Sequence, residues 1–191
     1  MHTIHLIAVQ LDPEDGDPTV TADNLGECYE RASYKALYAI NEQNLADWSD
    51  WNSQDAGRWA NQYRIVNALH DKDLWNQYIT DFKEFRANTI RDYAQRVKES
   101  ALNIKDRLDL AEHYIARMNG KPLQPFDKVK DIHRGLDMYY LERYEHVLQD
   151  RYNPDSNFYD IVTWTPGFQD LDERVKIYPE GQFLVPIDFH H

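Results

Sequence analysis

A single cysteine, Cys28, occurs in the 191 residues. It excludes an internal disulfide and suits a reducing compartment, so the protein is expected in the cytoplasm. Nothing near Cys28 in sequence supplies a base, and it reads as a packing residue rather than a nucleophile. Basic residues are outnumbered, 21 Lys and Arg against 33 Asp and Glu, for a net charge of -12. A phosphate backbone or an anionic membrane needs clustered cations, so neither nucleic acid nor membrane is expected as a partner. No apolar run approaches the roughly 20 residues that span a bilayer. The first residues lack the basic region and cleavage site of a signal peptide. Glycine is absent between Gly57 and Gly120, and proline between Pro18 and Pro122. That interval has nothing to punctuate a helix. Hydrophobic residues at 42% and aromatics at 13% suffice for a core and argue against disorder.

The chain falls into a strand-rich start, a helical middle and a strand-rich end. Residues 3–11 are rich in branched apolar side chains and read as a strand. Asp12 to Pro18 ends it as a solvated acidic turn. The spaced ligands of a twelve-residue calcium loop are missing. From about Asn24 to Asn44, Leu25, Cys28, Tyr29, Ala32, Ala36, Leu37 and Ile40 recur at helical spacing, with Thr21 or Asp23 as the expected cap. A second strand is expected from Tyr63 to Ala68. From Lys72 to Met118 the apolar residues follow a helical stripe, and one unbroken helix would be about 70 Å long. A break near 86–89 or 103–105 would make an antiparallel pair, and a break is expected. Asn119-Gly120-Lys121-Pro122 is a stop signal. A further helix is expected from about Asp127 to Tyr152. Strands are then expected at Tyr159 to Trp164, Arg174 to Tyr178 and Phe183 to Phe189. Pro186 should put the last of these at an edge or a bulge.

These readings combine into an α+β fold. A small, mostly antiparallel sheet is formed by N- and C-terminal strands, with a long helical middle segment. The whole is one domain, 1–191, with sheet portions at 1–70 and 155–191 and a helical insertion at about 72–152.

The densest segment is Asp47 to Trp59, which holds three of the five tryptophans within 13 residues. With Asp50, Trp51, Arg58 and Trp59 it offers flat apolar walls, a guanidinium fork and a carboxylate. The same residues also suit a structural clasp between the first helix and the sheet. Elsewhere, His133 with Asp137 and Glu142 with His146 share helix faces but lack the Glu-x-x-His repeat of di-iron bundles. The tyrosines at 139, 140, 144 and 152 follow helical spacing and read as core or helix interface rather than a base-stacking platform. His2 and His5 should face opposite sides of the first strand. No phosphate loop, dinucleotide fingerprint, nucleophile elbow or zinc quartet occurs.

His5-Leu6-Ile7-Ala8-Val9, Asp50-Trp51 with Ala56-Gly57-Arg58-Trp59, and Val185-Pro186-Ile187-Asp188-Phe189-His190 together resemble a group of uncharacterised bacterial and bacteriophage proteins. Those pair an HxxxV strand with a DW…GGRW segment and end on a strand like VDCH. The resemblance spans about a third of the chain. It departs at Ala56, where glycine is usual, and at Phe189, where cysteine is. It implies a site location and no reaction: Asp50, Trp51, Arg58, Trp59, Asp188 and His190 would converge. No cofactor and no metal are expected. The function expected first is that of a small accessory or binding protein, with a protein partner or self-association through the helical segment. A metal-assisted phosphoester or nucleotide hydrolase using Asp50, Arg58, Asp188 and His190, and a structural subunit of a larger assembly, are the alternatives.

Overall fold

A computed structural model describes residues 2–43, 51–53, 56–103, 119, 141, 143–145, 148, 158–164 and 170–190. Its architecture is α+β, with two compact units: residues 1–84 with 152–191, and residues 85–151.

The first unit is built on a mixed sheet of β1 (His2–Gln10), β2 (Trp51–Ser53), β3 (Val66–Asn67), β4 (Phe158–Asp160) and β5 (Gln182–His190). The order is β2-β5-β1-β4, and β3 also pairs with β5. β1 and β5 run antiparallel in one-to-one register from His2 opposite His190 to Gln10 opposite Gln182. Among the described strands, only β4 pairs in parallel with β1.

Both faces of the sheet are covered, which explains why strict alternation is blurred in β1 and β5. On one face Ile7, Val9, Phe183, Val185, Ile187 and Phe189 meet Cys28, Ala32, Ala36 and Ile40 of α1 (Leu25–Asn41). The small alanines let the helix approach closely. On the other, Leu6, Ala8, Phe158 and Leu184 meet Trp75, Tyr78, Ile79 and Phe82, the first turns of α2 (Lys72–Asn103). Each fully buried phenylalanine contributes about 1.5–3 kcal/mol.

Several expectations give way to the structure. α2 runs unbroken through 86–89: with no glycine or proline there, Asn88 and Thr89 each cost less than about 0.7 kcal/mol. Residues 104–105 of the alternative break and most of the 127–152 helix lie outside the described residues, as do 120–122 of the stop signal. Arg174 to Tyr178 is not a strand: Arg174 to Ile177 end helix α3 (Leu171–Ile177), and Tyr178 is its C-cap. Leu171 and Val175, one turn apart, both pack on the sheet, and acids begin the helix where its dipole favours them. Tyr159 to Trp164 is strand only to Asp160, whose carboxylate accepts from Val162 N at 2.9 Å and turns the chain. Only Val66–Asn67 of the expected Tyr63 to Ala68 strand is paired.

The helix cap also differs. Asn24 is the N-cap residue of α1, and the Thr21 hydroxyl is spent on Asn24 Oδ1 at 2.9 Å rather than on a helix N–H. The acidic turn is not wholly solvated, since Asp17 is buried between Arg31 and Lys35 at 2.8 and 2.7 Å. Pro186 lies neither at an edge nor in a bulge. Its carbonyl accepts from Ala56 N at 3.2 Å, on the side away from β1. A strand residue's N and O point the same way, so the missing N–H falls in the gap between β3 and β2, where no ladder bond is due.

In the second unit α2 continues to Asn103, and Val97 and Leu141 are buried.

Candidate functional site

The C-terminal end of β5 and the start of β1 lie side by side, and the segment after β2 folds over them. Ala56 and Gly57 take consecutive left-handed conformations, φ 60° and 49°. A left-handed alanine costs about 1–2 kcal/mol more than glycine would at Ala56. The double turn sets the backbone N of Arg58 on Asp188 Oδ2 at 3.3 Å. Gly57 is required by space as well: a Cβ on it would lie 2.6 Å from Asp188 Oδ2.

Parity then places the side chains. Asp188 and His190 share a face of β5 with Leu184, and His2 shares it with Leu6 on β1. Asp188 is 1% exposed, and both its carboxylate oxygens lie 3.2 Å from His2 Nδ1. His2 Nε2 lies 2.6 Å from Nη2 of the exposed Arg58. Arginine has only donors, so Nε2 must accept. His2 is therefore the neutral tautomer, with Nδ1 donating to Asp188. Arg58 leads to solvent, His2 and the buried Asp188 stand behind it. The His190 ring packs edge-on against His2 at 5.0 Å.

Of the residues named from sequence, Arg58, Asp188 and His190 meet here. Trp51 stands opposite His190 across the β2–β5 pair. Trp59 is half-buried beside Arg58, and its indole N–H has no hydrogen-bond partner among the described residues. Asp47, Trp48 and Asp50 lie outside the described residues. So do the pairs at 133 and 137 and at 142 and 146, and the tyrosines at 139, 140 and 152. His2 was missed, although His2 and His5 do face opposite sides. His5 packs its ring on Phe189 at 5.0 Å on the α1 face. Among the described residues no three His, Cys, Asp or Glu side chains are grouped to hold a metal ion.

The arrangement is suited to present a guanidinium. Arg58 has one donor on His2 and, among the described residues, no carboxylate on its side chain. Acid–base work by His2 would first require Arg58 to leave Nε2.

A second polar cluster lies at the other end of β1. Asp160, fully buried, accepts from Arg174 Nη2 at 2.6 Å. Arg174 Nε reaches Gln182, which donates to Gln10 at 3.1 Å. A third joins Asp71 to the Tyr29 hydroxyl and to Arg64 Nη2 at 2.9 Å, and burial is the main cause pushing the Tyr29 hydroxyl well above its ordinary range. Burial also raises the Cys28 thiol, with Glu27 adding to it, so the cysteine is a poor nucleophile.

The fold is α+β, and where the end of β5 meets the start of β1, Arg58 is backed by His2 and the buried Asp188. No family model, curated protein or solved structure matches the chain. Among the described residues no helix is long and apolar enough to cross a membrane.

Proposed function

We propose that this is a non-catalytic binding protein, working in the cytoplasm, that receives an anionic group of a protein partner on Arg58. The carrying observation is the 2.6 Å contact between Arg58 Nη2 and His2 Nε2, which orients the guanidinium without neutralising it. Bidentate capture of a carboxylate suits the remaining donors of the fork. An exposed ion pair contributes only about 0–1 kcal/mol, so Arg58 sets register and specificity while the surrounding surface supplies affinity. The net charge of -12 works against a polyanionic partner and favours a single carboxylate in an otherwise neutral or basic surface.

The test is NMR observation of the arginine side-chain N–H groups during titration with acetate and with inorganic phosphate. Arg58 should shift more than Arg64, which is already paired with Asp71, and the excess should vanish in His2→Ala. Equal shifts at both arginines would refute the reading.

A further inference from the structure

The solvent face of α1 carries an aromatic ladder on the opposite side of the sheet from Arg58. Tyr34 and Tyr38 are 57% and 48% exposed, large values for aromatic side chains on a well-packed helix. Their rings stack at 6.3 Å with an interplanar angle of 26°. The Arg31 guanidinium lies 5.4 Å from the Tyr34 centroid and is held by Asp17 through its Nε at 2.8 Å. The ladder therefore runs Arg31, Tyr34, Tyr38 at helical spacing. One end is closed by a cation and the other ends on Tyr38, with no cation over it among the described residues. One turn further on, Glu42 is exposed, and Glu30 is exposed one turn before Tyr34. Side chains four apart are neighbours on a helix, so each tyrosine has a carboxylate beside it.

An aromatic face with an adjacent carboxylate is the complement of a guanidinium. Arginine stacks on the ring by its plane and bonds the carboxylate by its edge, which the ammonium of lysine does less well. Arg31 on Tyr34 is the intramolecular instance of that contact. The net charge of -12 draws a basic segment in and opposes a second copy of this chain. We propose that this face of α1 docks an arginine-bearing segment of a protein partner, whose guanidinium continues the stack on Tyr38 and bonds Glu42. The surface is independent of Arg58, so either reading can fail without the other.

Titration of the full chain with a hexa-arginine and a hexalysine peptide, followed by α1 amide shifts, tests it. The arginine peptide should bind more tightly, with the largest shifts around Tyr38. Tyr38→Ala should weaken it by about two- to five-fold, to near the lysine level, while Tyr38→Phe retains the binding. Tyr38 is exposed, so these variants should keep the wild-type circular dichroism. Equal binding of both peptides, indifferent to Tyr38→Ala, would reduce the effect to net charge and overturn the proposal. A dimer seen by sedimentation and lost in Tyr38→Ala would overturn it in favour of self-association. Absence of binding would overturn it outright.

Discussion

Nε2 of His2 and Nη2 of Arg58 lie 2.6 Å apart, and the contact determines which ring nitrogen carries the proton. Because the guanidinium can only donate, the imidazole must accept there and donate to Asp188 through Nδ1. His2 acts as a strut between a buried acid and an exposed base. Replacing it with phenylalanine removes both bonds and leaves Asp188 short of a donor. We expect a loss of about 1–3 kcal/mol in chemical denaturation. Little change would mean that water replaces the imidazole at no cost.

Gly57 is tied to Asp188 by space. At φ 49° a Cβ would stand 2.6 Å from Oδ2 and 2.8 Å from the Asp188 Cβ, so Gly57→Ala must both strain the backbone and displace a buried carboxylate. A destabilisation of about 2–3 kcal/mol is expected. Gly26 is the control. A Cβ there meets nothing within 4 Å in α1, and Gly26→Ala should stabilise by about 0.5–1 kcal/mol. Thermal melts of the two variants should move in opposite directions.

Asp17 makes stability depend on acid. Burial alone would raise its pKa, but hydrogen bonds from Lys35, the Asp12 amide and Arg31, with the Lys35 charge, outweigh it and hold the carboxyl below its ordinary 3.8. A depressed folded value means the contribution is present above the unfolded pKa and is lost as pH falls through the folded one. Asp17→Asn should therefore cost about 2–3 kcal/mol at neutral pH. The gap from wild type should close as pH drops below 3.8. A gap unchanged by acid would contradict this assignment.

The Asp160–Arg174 pair should be sensitive from either side. Asp160 is fully buried and the Arg174 side chain is 15% exposed. Arg174→Met strands a buried carboxylate and should cost about 3–5 kcal/mol. Asp160→Asn together with Arg174→Met should recover part of that loss, as a double-mutant cycle in urea would show.

Much of this fold is legible in sequence because it is written in period. α1 is read from Leu25 to Ile40 at helical spacing, and β1 and β5 from their dense branched and aromatic residues. Short-range patterns mislead where tertiary contact decides. Val175-Lys176-Ile177 alternates like a strand, yet Leu171 and Val175 pack one turn apart, and Ile177 is left 82% exposed. Pro186 sits in a central strand because β2 and β3 are both too short to need its N–H, which no local rule reveals. His2 escapes for a related reason: its partner Asp188 is 186 residues away. Parity held the signal. Once β1 and β5 are taken as a one-to-one antiparallel pair, His2 stands opposite His190 on the face that carries Asp188.

The tautomer of His2 is the most direct test, because an oriented, available Arg58 exists only if that ring accepts. Long-range nitrogen–proton NMR of the His2 ring at neutral pH should show a protonated Nδ1 and an unprotonated Nε2. A proton on Nε2, or a doubly protonated ring in the wild-type protein, would contradict the account.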